Sequence, residues 1–532
     1  MAKSENLLID GRWQAAREPR WVFRAEDPTC GQEIEPAFPV CGDGDIERAL
    51  HAASTAAPAL AAVPPAAIAA FLDDCADRID ADRDALIALA HTETALPADT
   101  RLPGELARTT GQLRQAARAV REHAWTHPVI DTHAGLRAHY APLAKPVLVF
   151  GPNNFPFAFN AISGSDFASA MAARNPVIAK AHPSHPATSQ RLAQCVFAAL
   201  EASVLPLASV QMLYHFDNDS GLWLAADPRL GAIAFTGSRH GGLALKAAAD
   251  EAGIPMYAEM SSVNPVFLLP EALAHNGKAL AAELFASCTM GSGQFCTNPG
   301  VVIVPAGAGG DAFSAETQRL YAAAAPNVLF SRSVRDNLVR ALAQLRQAGA
   351  VVLAGGAATS GPGYYHAPTL LQVSGSHFLA HAEQLQGEAF GPSTLLIQAD
   401  DVAQMVRIAA AFEGNLTGTL YRAEDGADEA AFQQIASVLR PRVGRLIANK
   451  MPTGVAVSPA MNHGGPYPST SHSGFTAVGM PGAIRRFAAL QCYDNVPEHL
   501  LPADLRDHNL PGLQRCVDGH WTDRDIDAGV EA

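Results

Sequence analysis

The sequence predicts an α/β protein organised on parallel sheets, and three observations carry that expectation. From Pro146 onward, short apolar runs at residues 147–150, 177–179, 210–213, 232–235 and 256–258 alternate with helical patterns at 161–174, 187–202, 221–226 and 241–252. Strand and helix alternating at about 30 residues per unit is the pattern of a doubly wound parallel sheet. A second alternation begins near residues 265–269, with strand-like runs at 301–304, 351–353, 394–397 and 446–448. Finally, 532 residues with 48% hydrophobic and 17% charged side chains make a folded chain of three or four units at about 150 residues each.

The first 120 residues open with a hairpin-like stretch at 7–22. Asp45 is a plausible N-cap for a helix reaching residue 56, since a side-chain oxygen there satisfies free N–H groups of the first turn. Helical runs follow at 66–91 and 104–122, the latter carrying Arg108, Gln112 and Arg114. The charged tail beyond about residue 502 has no evident place.

A net charge of −14 with no clustered basic residues argues against a nucleic-acid or anionic-membrane surface. The longest apolar stretch, residues 49–72, is mostly alanine and is interrupted by Pro58, Pro64 and Pro65, so no membrane span is expected. The N-terminus shows no secretory pattern, and the eight cysteines follow no disulfide or metal spacing. A cytoplasmic protein with reduced thiols is the expectation.

In a doubly wound sheet the ligand lies beyond the carboxyl ends of the strands. Those ends hold residues 151–156 (GPNNFP), Lys180, the turn Gly237–Ser238 before a helix, and Glu259. GPNNFP alone reads as a turn with a capping asparagine. The glycine-serine turn can offer N–H groups to a phosphate, although it lacks the three-glycine fingerprint. Cys288, Cys195 and Cys75 sit in apolar helical patterns and read as inert buried thiols. Cys296, within residues 291–300 (GSGQFCTNPG), has small and polar neighbours that leave it accessible.

Four segments, PNNFP, FTGS, AEMSSVNP and GQFCTNPG, resemble the aldehyde dehydrogenase superfamily in order and spacing. EAFGP at 388–392 and NKMPTG at 449–454 extend the resemblance over the chain to about residue 500. It implies a Rossmann-type cofactor domain (1–122 and 146–262), an α/β catalytic domain (263–480) and a bridging oligomerisation element with the tail (123–145 and 481–532). It also implies Cys296 as nucleophile, Glu259 as general base and Asn154 as oxyanion-hole carboxamide acting with the Cys296 N–H. Lys180 corresponds to the adenosine-ribose contact, Gly237 and Ser238 to the pyrophosphate turn, Glu388 to the nicotinamide-ribose carboxylate and Phe390 to the packing beside it.

Two departures from the family pattern stand out. Ser261 and Ser262 replace a glycine pair, and Pro183 stands where NAD-preferring members carry a ribose-binding glutamate. Without that carboxylate a 2′-phosphate is not repelled, and His182 or His185 could supply positive character; the expected cofactor is NADP or NAD, leaning to NADP. The HxxH pair has no third ligand, so no metal is expected there.

Residues 462–471 (NHGGPYPSTS), 483–487 (AIRRF) and 108–114 (RTTGQLR) resemble the 2,5-dioxovalerate (α-ketoglutaric semialdehyde) dehydrogenases. That substrate's keto-acid end requires cationic or amide donors. Arg108, Gln112 and Arg114 are candidates, with a solvated helix face as the alternative. Phe155, Phe157 and Phe159 would wall the tunnel and would also suit a fatty aldehyde, a pattern that NADP-linked fatty aldehyde dehydrogenases partly share. A cysteine acyltransferase or hydrolase without a redox step is the reading from another class. The resemblance implies a homodimer or a dimer of dimers.

Overall fold

The computed structural model describes residues 4–357, 359 and 361–526. Its first sheet has seven strands in the order Met256–Glu259, Ala232–Thr236, Val147–Phe150, Val177–Lys180, Val210–Leu213, Leu7–Ile9 and Arg12–Gln14. The first five run parallel, and the N-terminal hairpin joins them antiparallel at Leu8↔Met212. Each central strand is short, apolar and buried on both faces, as covering helices require. Register places Phe150 beside Lys180 and Phe235, and Thr236 beside Glu259. The strand ends singled out in the sequence therefore share one edge.

The second sheet also has seven strands, in the order Val351–Ala354, Thr369–Ser374, Ser393–Ala399, Val301–Pro305, Val266–Leu268, Asn415–Tyr421 and Val443–Ala448. Only the edge strand Val351–Ala354 runs antiparallel. A third sheet orders Ala488–Asp494, Leu136–Pro142, Val129–Asp131, Arg515–Val517 and His520–Thr522. The strands Arg515–Val517 and His520–Thr522 thus bring this part of the tail into the sheet. Arg515, fully buried, anchors it by donating to the carbonyls of Asp507 at 2.7 Å and Arg524 at 3.1 Å.

Two expectations for the N-terminal helices need correction. The first helix spans Asp43–Ala61 and its N-cap is Gly42. Asp45 lies inside the first turn, where its carboxylate accepts from the N–H groups of Arg17 and Glu18 and pairs with Arg48. The run read as one helix at 66–91 is two, Pro65–Ala81 and Arg83–Thr94, broken at Asp82. Among the described residues no helix is long and apolar enough to cross a membrane.

Candidate active site

The helix Pro270–Thr289 ends in a turn where Gly291, Ser292 and Gly293 all have positive φ (54°, 60° and 67°). A Cβ on Gly293 would lie 2.2 Å from the Gly391 carbonyl oxygen, so only glycine fits. Cys296 follows directly. Its carbonyl accepts from Asn264 Nδ2 at 2.9 Å, and the same amide donates to the Asn298 carbonyl at 2.9 Å. Asn264 is itself left-handed, at φ 48°, a conformation asparagine tolerates better than most residues. Asn415 Oδ1 holds it there by accepting from the N–H groups of Val263 at 2.9 Å and Asn264 at 3.1 Å. Ser262 belongs to this lattice: its hydroxyl bonds the Asn264 and Asn415 side chains and accepts from the Leu416 N–H. The serine that departs from the family's glycine is therefore satisfied within the support of the cysteine loop.

Glu259 ends its strand, and residues 469–471 lie alongside it. Met260 N–H donates to Ser469 O at 2.7 Å and Ser471 N–H to Ala258 O at 2.9 Å. That pairing brings in His463, a residue within NHGGPYPSTS to which the sequence alone gives no role. Cys296 Sγ lies 3.5 Å from His463 Nε2, and that nitrogen lies 3.0 Å from Glu259 Oε2. Glu259 and His463 are buried, whereas Cys296 keeps part of its surface open to an incoming substrate.

Burial and the neighbouring Glu259 carboxylate push the Cys296 thiol well up. Burial also acts to raise Glu259, but His463 and Cys296 beside it outweigh that and hold it below its ordinary value. Cys296 therefore rests as a thiol, with the Glu259 carboxylate and the His463 imidazole beside it. The sign of this coupling is testable. Because the carboxylate destabilises the thiolate, Glu259→Gln should lower the thiol pKa. The pH profile of Cys296 alkylation by iodoacetamide then moves to lower pH, while steady-state turnover falls. An alkylation midpoint that stays put or rises would contradict the coupling.

Asn154 is buried, and its Nδ2 donates to the Gln294 carbonyl at 3.0 Å, beside the cysteine loop. The asparagine loop is held from the helix Arg101–Arg121. The buried Glu105 accepts from the N–H groups of Phe157 at 2.9 Å and Ala158 at 3.0 Å, and Arg101 pairs with it. Phe155 packs on Phe159 and Phe295, with ring centroids 5.2 and 5.6 Å apart, and Phe159 lies 5.7 Å from the His463 ring. These rings wall the approach to the thiol. Phe157 does not, being fully buried in the main core.

The arginine helix splits the three substrate candidates. Arg108 lies over Phe159 and Phe155, 5.1 and 5.6 Å from the ring centroids, on the thiol side of the helix. Its Nη2 is buried with no hydrogen-bond partner among the described residues. Gln112 is committed to support, donating to the Ala158 carbonyl at 3.1 Å and accepting from Arg108 Nε at 3.3 Å. Arg114 points away from the site and pairs with Asp77 at 2.6 Å and Asp80 at 2.9 Å. Sequence reasoning missed Arg445, on the strand Val443–Ala448. Its Nε and Nη2 are buried without partners among the described residues, and it and Arg108 both act electrostatically to favour the thiolate. Only the topology brings this strand beside the cysteine.

On the cofactor side, Ser238 caps the helix Arg239–Glu251 by accepting from the Gly241 N–H at 3.3 Å, and Gly237 and Ser238 form an exposed turn. A helix N-terminus with free N–H groups suits a pyrophosphate. Lys180 ends its strand with its Nζ 6.0 Å from the Phe216 ring, and burial pushes its ammonium down to about 8. A desolvated cation of this kind is relieved by an incoming anion or hydroxyl acceptor. Pro183 lies in the loop between His182 and the helix Pro186–Glu201. Glu388 and Phe390 line a cavity with Ser262, Gly293 and Phe295. Burial pushes the Glu388 carboxyl up to about 7 against the opposing pull of Ser261 and the Ser262 backbone. These residues fit a dinucleotide.

The family profile described as "Aldehyde dehydrogenase family" matches residues 13–491. The chain belongs to the aldehyde dehydrogenase family. It is similar to alpha-ketoglutaric semialdehyde dehydrogenase 2 of Azospirillum brasilense, 40% identical over 94% of this chain and 96% of the relative. An alpha-ketoglutaric semialdehyde dehydrogenase of Acinetobacter baylyi is 37% identical over 85% of this chain and 86% of its own. Among solved structures, lactaldehyde dehydrogenase from Escherichia coli superposes with a TM-score of 0.79 at 20% identity, covering 92% of this chain and 98% of that one. A mutant aldehyde dehydrogenase of Pseudomonas syringae, solved with NAD+ and octanal, has a TM-score of 0.79 at 18% identity, covering 93% and 97%. The fold is that of these enzymes, and the protein is an NAD(P)-dependent aldehyde dehydrogenase.

Proposed function

We propose that the protein oxidises 2,5-dioxovalerate to 2-oxoglutarate. The observation that carries this reading is the pair of guanidinium groups near the thiol, Arg108 and Arg445, whose buried donors lack partners among the described residues. Unpaired buried cations are costly, and a keto-acid carboxylate would satisfy both. The names of the two similar dehydrogenases support the same substrate.

Cys296 attacks the aldehyde carbon, and its proton passes to the His463–Glu259 pair 3.5 Å away. The oxyanion of the thiohemiacetal takes hydrogen bonds from Asn154 Nδ2, released from the Gln294 carbonyl, and from the Cys296 N–H. A nicotinamide, when bound, supplies the hydride acceptor that makes oxidation to the thioester possible. Once that first proton has passed to solvent, Glu259 takes a proton from the water that cleaves the thioester and returns it to the departing Cys296 thiolate, with one oxygen directed at His463 and the other without a partner among the described residues. Lys180, Gly237, Ser238, Glu388 and Phe390 would hold the dinucleotide.

We read the cofactor preference as NADP. Pro183 leaves no carboxylate to repel a 2′-phosphate, and Lys180 is the cation available to meet it, since burial and the adjacent Lys180 push His182 well below its ordinary value and leave it a neutral hydrogen-bonding group. His182 accepts from the Ser184 N–H through Nδ1, leaving Nε2 for a ligand. His185 is spent on the Pro152 carbonyl at 3.1 Å, and burial pushes it down to about 4, so it supplies no charge. Pairing of two or four copies in the cytoplasm completes the proposal, with the exposed edge strand Ala488–Asp494 as the bridging element.

Arg108→Met and Arg445→Met test the substrate assignment against pentanal, a neutral aldehyde of equal length. Each should lower the ratio of kcat/KM for 2,5-dioxovalerate over pentanal by about 100-fold, as loss of a charge-assisted contact implies. An unchanged ratio in both variants would overturn the assignment.

A further inference from the structure

The three groups that handle the proton also form a ligand set of another kind. A carboxylate oxygen of Glu259, Cys296 Sγ and His463 Nε2 all lie within 4.8 Å of one another. Four-coordinate zinc binds thiolate sulfur at about 2.3 Å and imidazole or carboxylate atoms at about 2.0–2.2 Å. Tetrahedral geometry then places ligand atoms about 3.3–3.6 Å apart. The observed separations are 3.5 Å from sulfur to Nε2 and 3.0 Å from Nε2 to Oε2. The Glu259 carboxylate has no hydrogen-bond partner outside this cluster among the described residues, so nothing else holds its oxygens away from an ion placed there. Backbone anchors hold the other two ligands: Asn264 on the Cys296 carbonyl, and the Thr476 hydroxyl accepting from the His463 N–H at 2.9 Å. Thiolate, imidazole and carboxylate together select zinc over magnesium or calcium.

We propose that Glu259, Cys296 and His463 form a zinc-binding site in the free enzyme, so that Zn2+ reversibly switches the dehydrogenase off. The thiol proton leaves to solvent as the zinc–sulfur bond forms, Nε2 binds through its lone pair, and no electron is transferred. Carboxylate and thiolate together neutralise the charge of the ion. Cys296 is the partly exposed member of the three, so the sulfur is the side from which both ion and aldehyde arrive. Zinc and aldehyde therefore compete for the same sulfur.

Binding can be read without any aldehyde. Metal-free protein titrated with Co2+, the spectroscopic substitute for zinc, should show one ion per chain with a thiolate-to-cobalt charge-transfer band and four-coordinate visible bands. Zinc should displace it. Cys296→Ala and His463→Ala should each weaken binding by at least about 100-fold, more than the loss of an outer partner costs. Wild-type protein blocked with iodoacetamide should lose the charge-transfer band, which controls for any folding defect in the variants. Inhibition of turnover by Zn2+ should be competitive with aldehyde and reversed by EDTA. Absence of the charge-transfer band in the wild type, or its retention in both variants, would overturn the site. Either result leaves the substrate assignment untouched, because the cobalt titration uses no aldehyde.

Discussion

Cys296→Ala should lose both aldehyde oxidation and hydrolysis of an activated ester, with kcat reduced at least about 10⁴-fold. Removing the nucleophile of a comparable covalent mechanism costs about 10⁶-fold. Cofactor binding, followed by quenching of protein fluorescence on adding NADP, should survive, because Lys180, Ser238 and Glu388 lie on other elements. The variant keeps the loop geometry, since the carbonyl of residue 296 rather than its sulfur is what Asn264 holds. Wild-type turnover in this variant would remove Cys296 from the chemistry. Loss of cofactor binding along with turnover would show instead that the loop had collapsed.

Asn154→Ala should lower kcat by about 10²–10³ with a much smaller change in KM, the range found when one oxyanion-hole donor is removed. The reasoning is that its amide stabilises charge that exists only after Cys296 has added to the carbonyl. In the free enzyme that amide donates to the Gln294 carbonyl, so its removal leaves one backbone acceptor unpaired beside the cysteine loop. Single-turnover kinetics separate the two effects. A fall confined to KM would mean that Asn154 binds substrate rather than its tetrahedral form.

The strands and their common edge were legible because each is a short apolar run punctuated by glycine, proline or a helix start. The positions of Cys296, Glu259 and Asn154 were legible because each lies at a strand end or in a distinctive loop, within the six segments that carry the resemblance. His463 and Arg445 were not, for a physical reason. Both reach the thiol through tertiary pairing: His463 because residues 469–471 line the Glu259 strand, and Arg445 because its strand closes the second sheet. Neither relation has a local sequence period. Arg114 shows the converse, since helical spacing put it near Arg108 in sequence but on the outer face, where Asp77 and Asp80 hold it. Asp45 failed as a cap because its carboxylate is engaged by the backbone of Arg17 and Glu18, a contact from outside the helix.

The most direct test is the specificity constant of the wild-type enzyme for 2,5-dioxovalerate and for pentanal, each with NADP and with NAD, followed at the reduced-nicotinamide absorbance band. The dioxo acid should be favoured at least about 100-fold, the worth of a charge-assisted pair of contacts, with NADP the better cofactor. Equal constants for the two aldehydes, or a preference for pentanal, would contradict the substrate assignment and leave Arg108 and Arg445 without a carboxylate to meet.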